Sequence, residues 1–462
     1  MSGTSWDRQT MELYVIPVGE DETDKFIIYR PLLGLAFVGN RAMAGLAQHI
    51  ARRGEAEDGV ANGRSLTALS FLRQIGFLEA DPPAPGAPDS TFAPTMAVLL
   101  MTNQCQLRCT YCYAAAGEWP QAELTSEQGF AAIDAVCENA RRLGHRQFEI
   151  SFHGGGEPTL AWSVLQQCVV YARQKPIPAR ITLTSNGVWS ARQCQWIFQH
   201  LDGLTLSWDG TPQTQDRQRP FASGRGSADM VRHLITELDR AHFPYGIRLT
   251  ATAPWPAFVD GVRFICEQTN CQSLQVEPAF NTARGGHGRP EATDCQAFVD
   301  AFMAALDVAQ QHGRRLMYSG ARLGLVTSSF CTAPYNALII GPGGALVSCY
   351  EVTAVTHPLA SLSAIGRYAG DEIHIHEPAR QQLHSLIAAR RHTCQDCFCY
   401  WSCAGDCYTR VFQSGPNGHL KRGARCDMNQ AITRRMLLNG IAGGGGVWRR
   451  PAAIAHQNGE HA

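Results

Sequence analysis

The sequence MTNQCQLRCTYCYAAAGEW, residues 101–119, places three cysteines close together and offers no fourth. Cys105, Cys109 and Cys112 come directly after the apolar run TMAVLLMT, which has the composition of a buried β-strand. A closed zinc site takes four ligands, whereas thiolates also hold iron–sulfur clusters. Three thiolates can occupy three corners of a cubane 4Fe–4S cluster and leave one iron open to an exogenous ligand. Taken alone, the spacing also fits a zinc fragment or chance.

Six apolar, β-rich segments alternate with amphipathic segments after this loop's strand begins. The β-rich segments are TMAVLLMT, RQFEISF, ARITLTS, GLTLSW, YGIRLTAT and SLQVEP. Segments between them, such as SEQGFAAIDAVCENARRL, carry apolar residues at helical spacing. Repeated strand–helix alternation indicates a parallel sheet with helices outside it. We therefore predict an α/β fold, a partial (β/α)6 TIM-like barrel over residues 96–317, with chemistry in the loops that follow the strands.

The regions on either side of the predicted barrel differ from it in composition. Residues 1–80 contain short strand-like runs and then two helix-like segments, which predicts a small α+β domain. Residues 81–95 are rich in proline and alanine and predict a linker. Cysteine, glycine and loop residues dominate 318–435, which predicts a separate cysteine-rich domain. The Gly-rich residues 436–462 predict a flexible tail.

The bulk composition restricts the possible partners. The chain has 462 residues, with 40 basic and 40 acidic side chains, so charge gives no argument for nucleic acid or a membrane as partner. No apolar run reaches the roughly 18 residues that span a bilayer. The N-terminal residues lack a basic region followed by an apolar one, so we predict a cytoplasmic protein. Seventeen cysteines in a reducing compartment are not explained by disulfides.

A glycine-rich element follows the second predicted strand of the barrel. The segment SFHGGGEPTL contains Gly154, Gly155, Gly156, Glu157 and Pro158. Glycine permits close approach of the backbone to a ligand because it has no Cβ. No Gly-Lys-Ser/Thr follows, which excludes a phosphate-binding loop of the usual kind. By itself, this element also fits an ordinary turn after a strand.

The second concentration of cysteines lies in the C-terminal region. The segment HTCQDCFCYWSCAGDCY has the spacing C-x2-C-x5-C-x3-C, and further cysteines flank it. The cysteines of this array are Cys331, Cys349, Cys394, Cys397, Cys403, Cys407 and Cys426. A pair of zinc ribbons is the simpler alternative, because C-x2-C pairs often hold zinc.

The cysteine loop, its place after the first barrel strand and the glycine-rich element together resemble the radical S-adenosylmethionine (SAM) superfamily. The resemblance implies that a 4Fe–4S cluster on the three loop cysteines binds SAM through its open iron. It also implies that reduction cleaves SAM to a 5′-deoxyadenosyl radical, which removes hydrogen from an unactivated C–H bond. The residues implied to contact SAM are Tyr111, Gly154, Gly155, Gly156, Glu157, Pro158, Ser185, Asn186, Ser207, Arg219 and Arg248. For Ser185 and Asn186 a plain turn, and for both arginines a barrel-end position, remain alternatives.

The order of the C-terminal cysteines resembles the SPASM extension of radical SAM peptide and sulfatase maturases. This resemblance implies two auxiliary 4Fe–4S clusters, and hence three clusters in all with SAM. The first would be held by Cys331, Cys349 and Cys407, and the second by Cys394, Cys397, Cys403 and Cys426. No cysteine lies between Cys331 and Cys349, so the first cluster has an open iron or another cap, such as Cys399.

The N-terminal unit resembles the winged-helix-like PqqD element, which binds the leader of a ribosomally made precursor peptide; a structural domain is the alternative. The resemblance implies an enzyme that crosslinks a precursor peptide, leader and core, through a carbon–carbon (cyclophane-like) or thioether bond. It further implies a low-potential electron donor such as flavodoxin or ferredoxin. Sulfatase maturases have Asp directly after the cysteine that matches Cys349; here Tyr350 and then Glu351 follow, and Glu351 is the expected proton acceptor. The alternatives are an anaerobic sulfatase maturase that forms formylglycine, and a non-catalytic zinc or electron-transfer protein.

Overall fold

The computed structural model describes most residues of the chain. They are 11–19, 22–53, 63–280, 284–285, 291–353, 357, 359–413, 419–420 and 422–451. The strands are β1 (Tyr14–Pro17), β2 (Lys25–Arg30), β3 (Leu35–Asn40), β4 (Met96–Leu100), β5 (Phe148–His153), β6 (Ala179–Ser185), β7 (Gly203–Ser207), β8 (Tyr245–Ala251), β9 (Ser273–Pro278), β10 (Arg315–Tyr318), β11 (Ala337–Ile340), β12 (Ala345–Val347), β13 (Ala364–Ala369), β14 (Glu372–Ile375), β15 (Phe412–Gln413), β16 (His419–Leu420) and β17 (Val447–Arg449).

The helices lie mostly between the strands of the barrel. They are α1 (Arg41–Arg53), α2 (Gly63–Gln74), α3 (Ser126–Arg142), α4 (Trp162–Arg173), α5 (Ala191–His200), α6 (Pro212–Gln218), α7 (Ala228–Ala241), α8 (Pro256–Gln268), α9 (Ala292–Gln311), α10 (Ala333–Asn336), α11 (Ala360–Ser363), α12 (Glu377–His392), α13 (Tyr400–Cys403), α14 (Tyr408–Val411) and α15 (Ala424–Gly443). None of these helices is both long enough and apolar enough to cross a lipid bilayer.

The six predicted barrel strands form one parallel run, β4 to β9, in sequence order. Their residues alternate between two faces: in β6, Ile181 and Leu183 are buried, while Thr182 and Thr184 are half-buried. The buried face packs against the helices in one continuous apolar core, to which α3 contributes Ile133. The predicted α/β fold with a partial barrel is therefore confirmed, and all six strands end at the same edge of the sheet.

Two short strands extend the barrel beyond the six predicted units. β10 pairs parallel to β9, and β11 pairs parallel to β4. From β11 the sheet continues through the antiparallel strands β12, β13 and β14. The cysteine-rich domain is thus joined to the barrel by main-chain hydrogen bonds rather than by side-chain packing alone. β12, which Cys349 follows closely, is separated by β11 from β4, the strand that leads into the first cysteine loop.

The C-terminal residues do not form the flexible tail that the sequence predicts. α15 continues to Gly443, and β17 pairs antiparallel with β3, which makes a four-stranded sheet β1–β2–β3–β17. Trp448 is buried, and it packs edge-on to Tyr29 and against Gly440, where a Cβ would lie 2.4 Å from the indole. The glycines between α15 and β17 make a tight reversal, with Gly446 at φ 99°. The tail prediction is wrong up to Pro451; residues 452–462 lie outside the described residues.

The N-terminal sheet is packed on both faces. One face packs against α1 and α2. α1 begins after Asn40, whose Oδ1 accepts from Met43 N (2.9 Å) as an N-cap. The other face packs on α15 and on Phe398 and Cys399 of the cysteine-rich domain. This domain therefore rests directly on the C-terminal cysteine array.

Candidate functional site

The first cysteine loop lies at the carboxyl end of β4, where its three thiols come close together. Burial and the neighbouring thiols raise the pKa of Cys105 to about 12 and the pKa of Cys109 to about 11. The backbone N–H of Leu107 points at the Cys105 sulfur (3.4 Å). Because metal ligation requires the thiolate, binding here must displace protons from thiols that hold them strongly. Ligation by a strongly Lewis-acidic centre would supply that free energy.

Two arginines that the sequence did not single out hold the backbone of this loop. Arg108 Nη1 donates to the carbonyl oxygen of Cys105 (2.7 Å), and its Nη2 donates to the carbonyl oxygen of Gly117 (3.0 Å). Arg284, which reaches across from the segment after β9, donates to the carbonyl oxygens of Cys109 and Ala116, each at 2.8 Å. The loop backbone is therefore held by one arginine from within the loop and by another from the segment after β9.

The glycine-rich element packs directly on the cysteine loop. Gly156 N donates to the carbonyl oxygen of Thr102 (2.8 Å), and Glu157 N donates to that of Gln104 (2.8 Å). A Cβ on Gly156 would lie 2.0 Å from the Gln104 carbonyl oxygen, so only glycine fits. Pro158 then begins a single helical turn, Pro158–Leu160. The element that the resemblance assigns to SAM binding is thus held directly against the cysteine loop.

We expect Gly156→Ala to lower SAM affinity by about tenfold or more, because the added methyl group forces the two loops apart at a cost of roughly 1–3 kcal/mol. Gly203→Ala is the matched control, since a Cβ there meets no heavy atom nearer than 3.7 Å. Equilibrium binding of SAM to the cluster-loaded proteins would measure the difference. Equal affinities in the two variants would contradict the close packing of the loops.

Glu157 and Ser185 satisfy each other and thereby set the position of Asn186. The buried carboxylate of Glu157 accepts from Ser185 Oγ (2.7 Å) and from Asn186 N (2.8 Å), and burial raises its pKa. Asn186 Nδ2 in turn points at the Cys105 sulfur (3.6 Å). The side chains of Glu157 and Ser185 thus position Asn186. Of these three residues, Asn186 is the one whose side chain points at a cysteine sulfur.

Tyr111 and Arg219 meet on Asp209, a buried carboxylate. Tyr111 Oη and Arg219 Nε (2.9 Å) both donate to Asp209 Oδ2, and Thr250 N donates to Oδ1 (3.0 Å). Arg219 Nη1 also points at the Cys109 sulfur (3.8 Å). Arg219 is therefore buried beside the cysteine loop, and its charge is paired with that of Asp209. This differs from the expected role of Arg219 as a partner for the SAM carboxylate.

Ser207, the last residue of β7, lies opposite Arg248 in the middle of β8. Burial, together with the positive charge of Arg248, lowers the pKa of His153 to about 4, so this imidazole is neutral at physiological pH. The His153 ring lies 5.4 Å from that of Tyr350. Arg248 thus faces the space between the first cysteine loop and the segment around Tyr350.

Cys331, Cys349 and Cys407 form a second group of thiols at the same end of the barrel. Burial is the largest cause of their raised pKa values, and each thiol is raised further by another thiol of the group or by Glu351. Backbone N–H groups point at two of the sulfurs, Ala333 N at Cys331 and Glu351 N at Cys349, each at 3.4 Å, and the Cys407 sulfur lies 3.0 Å from Thr409 Oγ1. The three thiols fit three corners of a cluster.

The third group surrounds a cavity of about 400 Å³ beneath the N-terminal sheet. Cys394, Cys397, Cys403 and Cys426 line it, as does the extra thiol of Cys399. Arg390 Nη2 donates to the Cys426 sulfur (2.9 Å), and a hydrogen bond from Cys399 lowers the pKa of Cys397 to about 7. Four thiols around a cavity of this size fit a 4Fe–4S cluster. Cys399 belongs to this third group, so it does not cap the cluster on Cys331, as one alternative suggested.

A single metal ion has no ready site in the described part of the chain. There, no three His, Cys, Asp or Glu side chains are arranged to hold one.

Glu351 is engaged in an ion pair rather than free. It accepts from Arg410 Nη2 (2.9 Å) and from Thr409 Oγ1 (3.3 Å). Burial acts to raise its pKa, but Arg410 and Arg248 outweigh burial, so the pKa is lowered. An ionised, paired carboxylate is a weak proton acceptor, and this differs from the role expected from the sequence.

The ion pair of Glu351 continues into a buried chain of charges that sequence reasoning missed. Arg410 also pairs with Glu277 at the end of β9 (3.2 Å). Arg425 pairs with Asp406 (2.8 Å) and approaches Glu277 (3.8 Å). The chain joins the barrel to segments that carry Cys349, Cys407 and Cys426, and no local sequence signal identifies it because its members are far apart in sequence.

Comparison with known proteins identifies the barrel. Residues 99–252 match the Radical SAM superfamily. The maturation protein SkfB of the sporulation killing factor, from Bacillus subtilis (strain 168), is 24% identical over 286 residues, which cover 59% of this chain and 64% of SkfB. Fe-coproporphyrin III synthase of Methanosarcina barkeri (strain Fusaro / DSM 804) is 28% identical over 239 residues, which cover 51% of this chain and 56% of that enzyme. The chain thus spans less than two thirds of either relative.

Solved structures share the fold. A structure described as native anSMEcpe with bound AdoMet has a TM-score of 0.61 at 15% identity and covers 76% of this chain and 99% of that chain. Streptococcus suis SuiB bound to the precursor peptide SuiA has a TM-score of 0.52 at 14% identity and covers 83% of this chain and 86% of that chain. These likenesses establish a common fold that extends beyond the barrel.

Proposed function

The chain belongs to the radical SAM superfamily, and on that premise we propose that it is a SPASM-type maturase that crosslinks a ribosomally made precursor peptide. The proposal rests on one observation: the ten predicted ligand cysteines lie in three separate groups. One group is in the loop after β4, and the other two are in the cysteine-rich domain. SkfB is named as a maturation protein, and SuiB is bound to a precursor peptide, which supports a peptide as substrate.

The residues of this chain would bind and orient the reactants at the barrel mouth. When bound, the cluster and SAM supply a 5′-deoxyadenosyl radical by reductive cleavage. The arginines of the loop hold its carbonyl groups, and Asn186 orients toward the Cys105 sulfur. Neutral His153, Tyr350 and Arg248 line the adjoining space, where the peptide would lie between the first and second cysteine groups.

The N-terminal sheet is the proposed binding site of the leader. An extended peptide can add to a sheet at an edge strand. The outer edge of β3 is already paired with β17, whereas no strand among the described residues pairs with the outer edge of β1 (Tyr14–Pro17), so β1 is the proposed edge for strand addition. Its N–H groups end at Pro17, which limits pairing to a short segment.

The proposed function is tested with anaerobically reconstituted protein, SAM, a low-potential reductant and, as candidate substrates, the products of any short open reading frames that neighbour the gene. We expect 5′-deoxyadenosine and a peptide that has lost two hydrogens and resists cleavage between the joined residues. A formylglycine product, the alternative, would react with a hydrazide probe, whereas a crosslink would not. Absence of 5′-deoxyadenosine would contradict both activities.

We expect Glu351→Gln to slow peptide modification by less than about tenfold, because the amide can keep its contacts with Arg410 and Thr409 and no proton transfer is lost. Loss of a general base would slow it by about 10²–10⁴-fold. Single-turnover rates of peptide modification, measured beside the rate of 5′-deoxyadenosine formation, separate the two. A loss of 10²-fold or more in modification alone would restore Glu351 as the base.

A further inference from the structure

Arg322 lies between the second and third cysteine groups. It donates a hydrogen bond to a residue next to a cysteine of each group. Its Nη1 donates to the carbonyl oxygen of Phe330 (2.9 Å), and its Nε donates to the carbonyl oxygen of Ser402 (3.0 Å). Phe330 directly precedes Cys331, and Ser402 directly precedes Cys403. One guanidinium group therefore anchors the segments that carry a cysteine of each group.

The remaining nitrogen of this side chain, Nη2, is buried and makes no hydrogen bond to any residue in the described part of the chain. A buried donor on a charged group costs more than a neutral one to leave unpaired, so such groups are rare and point to something that completes them. Burial lowers the pKa of Arg322, and the groups that act most strongly against burial are Cys403 and Cys331.

The nearby carboxylates do not account for the charge of Arg322. Asp406 is paired with Arg425 (2.8 Å) and accepts from Asn429 Nδ2 (2.9 Å). Glu277 is paired with Arg410 (3.2 Å). Each of these carboxylates already has an arginine of its own. Among the described residues, Arg322 therefore has no carboxylate within ion-pair distance, and the negative charge nearest to it would be that of the two clusters.

We propose that Arg322 is a positioning residue shared by the two auxiliary clusters: its Nη2 donates to cluster sulfur, and its charge stabilises the reduced form of both. This inference rests on the proposed function, which assigns two clusters to these thiols. Reduction adds one electron, and so one negative charge, to a cluster, and a nearby cation in a buried site favours that state. After hydrogen abstraction, bond formation and loss of a proton, the peptide must lose one electron. A positive charge near both clusters would raise both midpoint potentials and so favour transfer of this electron from the peptide to the clusters.

The test is a potentiometric titration of the auxiliary clusters, followed by electron paramagnetic resonance. It uses protein in which Cys105, Cys109 and Cys112 are alanine, so that the first cluster gives no signal and no turnover is needed. Arg322→Gln should move both midpoint potentials to more negative values, and Arg322→Lys should keep them nearer those of the parent. Arg390→Gln removes a donor to the Cys426 sulfur, together with bonds to the Gly405 carbonyl oxygen and the Thr393 hydroxyl, and should move the potential of the third group more than that of the second.

Three outcomes would overturn the inference. One is a shift of a single potential in Arg322→Gln, another is an equal shift in Arg322→Lys and Arg322→Gln, and the third is a parent protein with only one auxiliary cluster. If Arg322→Gln binds no cluster, retention of both by Arg322→Lys, measured as iron and sulfide content, would support a need for the charge, and loss in both would count against it. Formation of 5′-deoxyadenosine by the unmodified enzyme tests the proposed function separately.

Discussion

Replacement of Cys105, Cys109 and Cys112 by alanine is expected to abolish SAM cleavage and to leave the rest of the protein intact. The loop supplies the three thiolates of the first cysteine group, so no cluster can be held by this loop in the variant. The iron content should fall by about four atoms per chain, because one cubane is lost and the two C-terminal groups keep their ligands. 5′-Deoxyadenosine should fall to the level of a reaction without enzyme, measured by chromatography after anaerobic reduction.

A cysteine outside the three groups provides the control. Cys194 lies on α5, half-buried, and is packed against the barrel core. Cys194→Ala should keep its full iron content and its rate of 5′-deoxyadenosine formation. Continued SAM cleavage by the triple alanine variant, or an unchanged iron content, would show that the barrel-mouth loop is not where SAM reacts.

Asp209→Ala should be among the most destabilising single substitutions in the barrel. Removal of this carboxylate leaves Arg219 buried beside Cys109 without its partner, and it also removes an acceptor for Tyr111 and Thr250. Breaking a buried pair by removal of one partner costs about 3–5 kcal/mol. We expect a large fall in the midpoint of thermal unfolding of the cluster-free protein and poor loading of the first cluster.

Two further variants separate the ion pair from a general effect of losing a carboxylate. Glu138→Ala removes an exposed partner of Arg141 and should cost no more than about 1 kcal/mol. The double variant Asp209→Ala/Arg219→Ala removes both buried charges and should be more stable than the sum of the two single effects predicts. Strict additivity would contradict the claim that the two side chains act as a pair.

The barrel could be predicted because its signals are local. β4 to β9 each carry a short apolar run, and helices at regular intervals separate them, so composition and period identify them. β10 and β11 have only four residues each, and β17 pairs with β3 from the opposite end of the chain. A three-residue strand after a run of glycines has no local signal, because its stability comes from burial of Trp448 and from pairing across more than 400 positions.

The site divides in the same way. The cysteine groups and the glycine-rich element are motifs with fixed spacing, so their residues could be named from the sequence. Other residues of the site make contacts with residues that are distant in sequence, and their residue types alone do not predict those contacts. They are Asp209, Arg284 and Arg322. Glu351 was expected as a base from its place after Cys349, but the pairing with Arg410 that holds its charge depends on the fold.

The most direct measurement of the central claim is the electron paramagnetic resonance spectrum of the reduced cluster on Cys105, Cys109 and Cys112, recorded with and without SAM. A variant that lacks the seven C-terminal ligand cysteines would isolate its signal, and the full-length protein would confirm it. We predict that SAM changes the spectrum, because it binds the iron that has no cysteine, and that 5′-deoxyadenosine then forms in the full-length enzyme. A cubane whose spectrum is the same with and without SAM, or a loop that holds no cubane, would contradict the account.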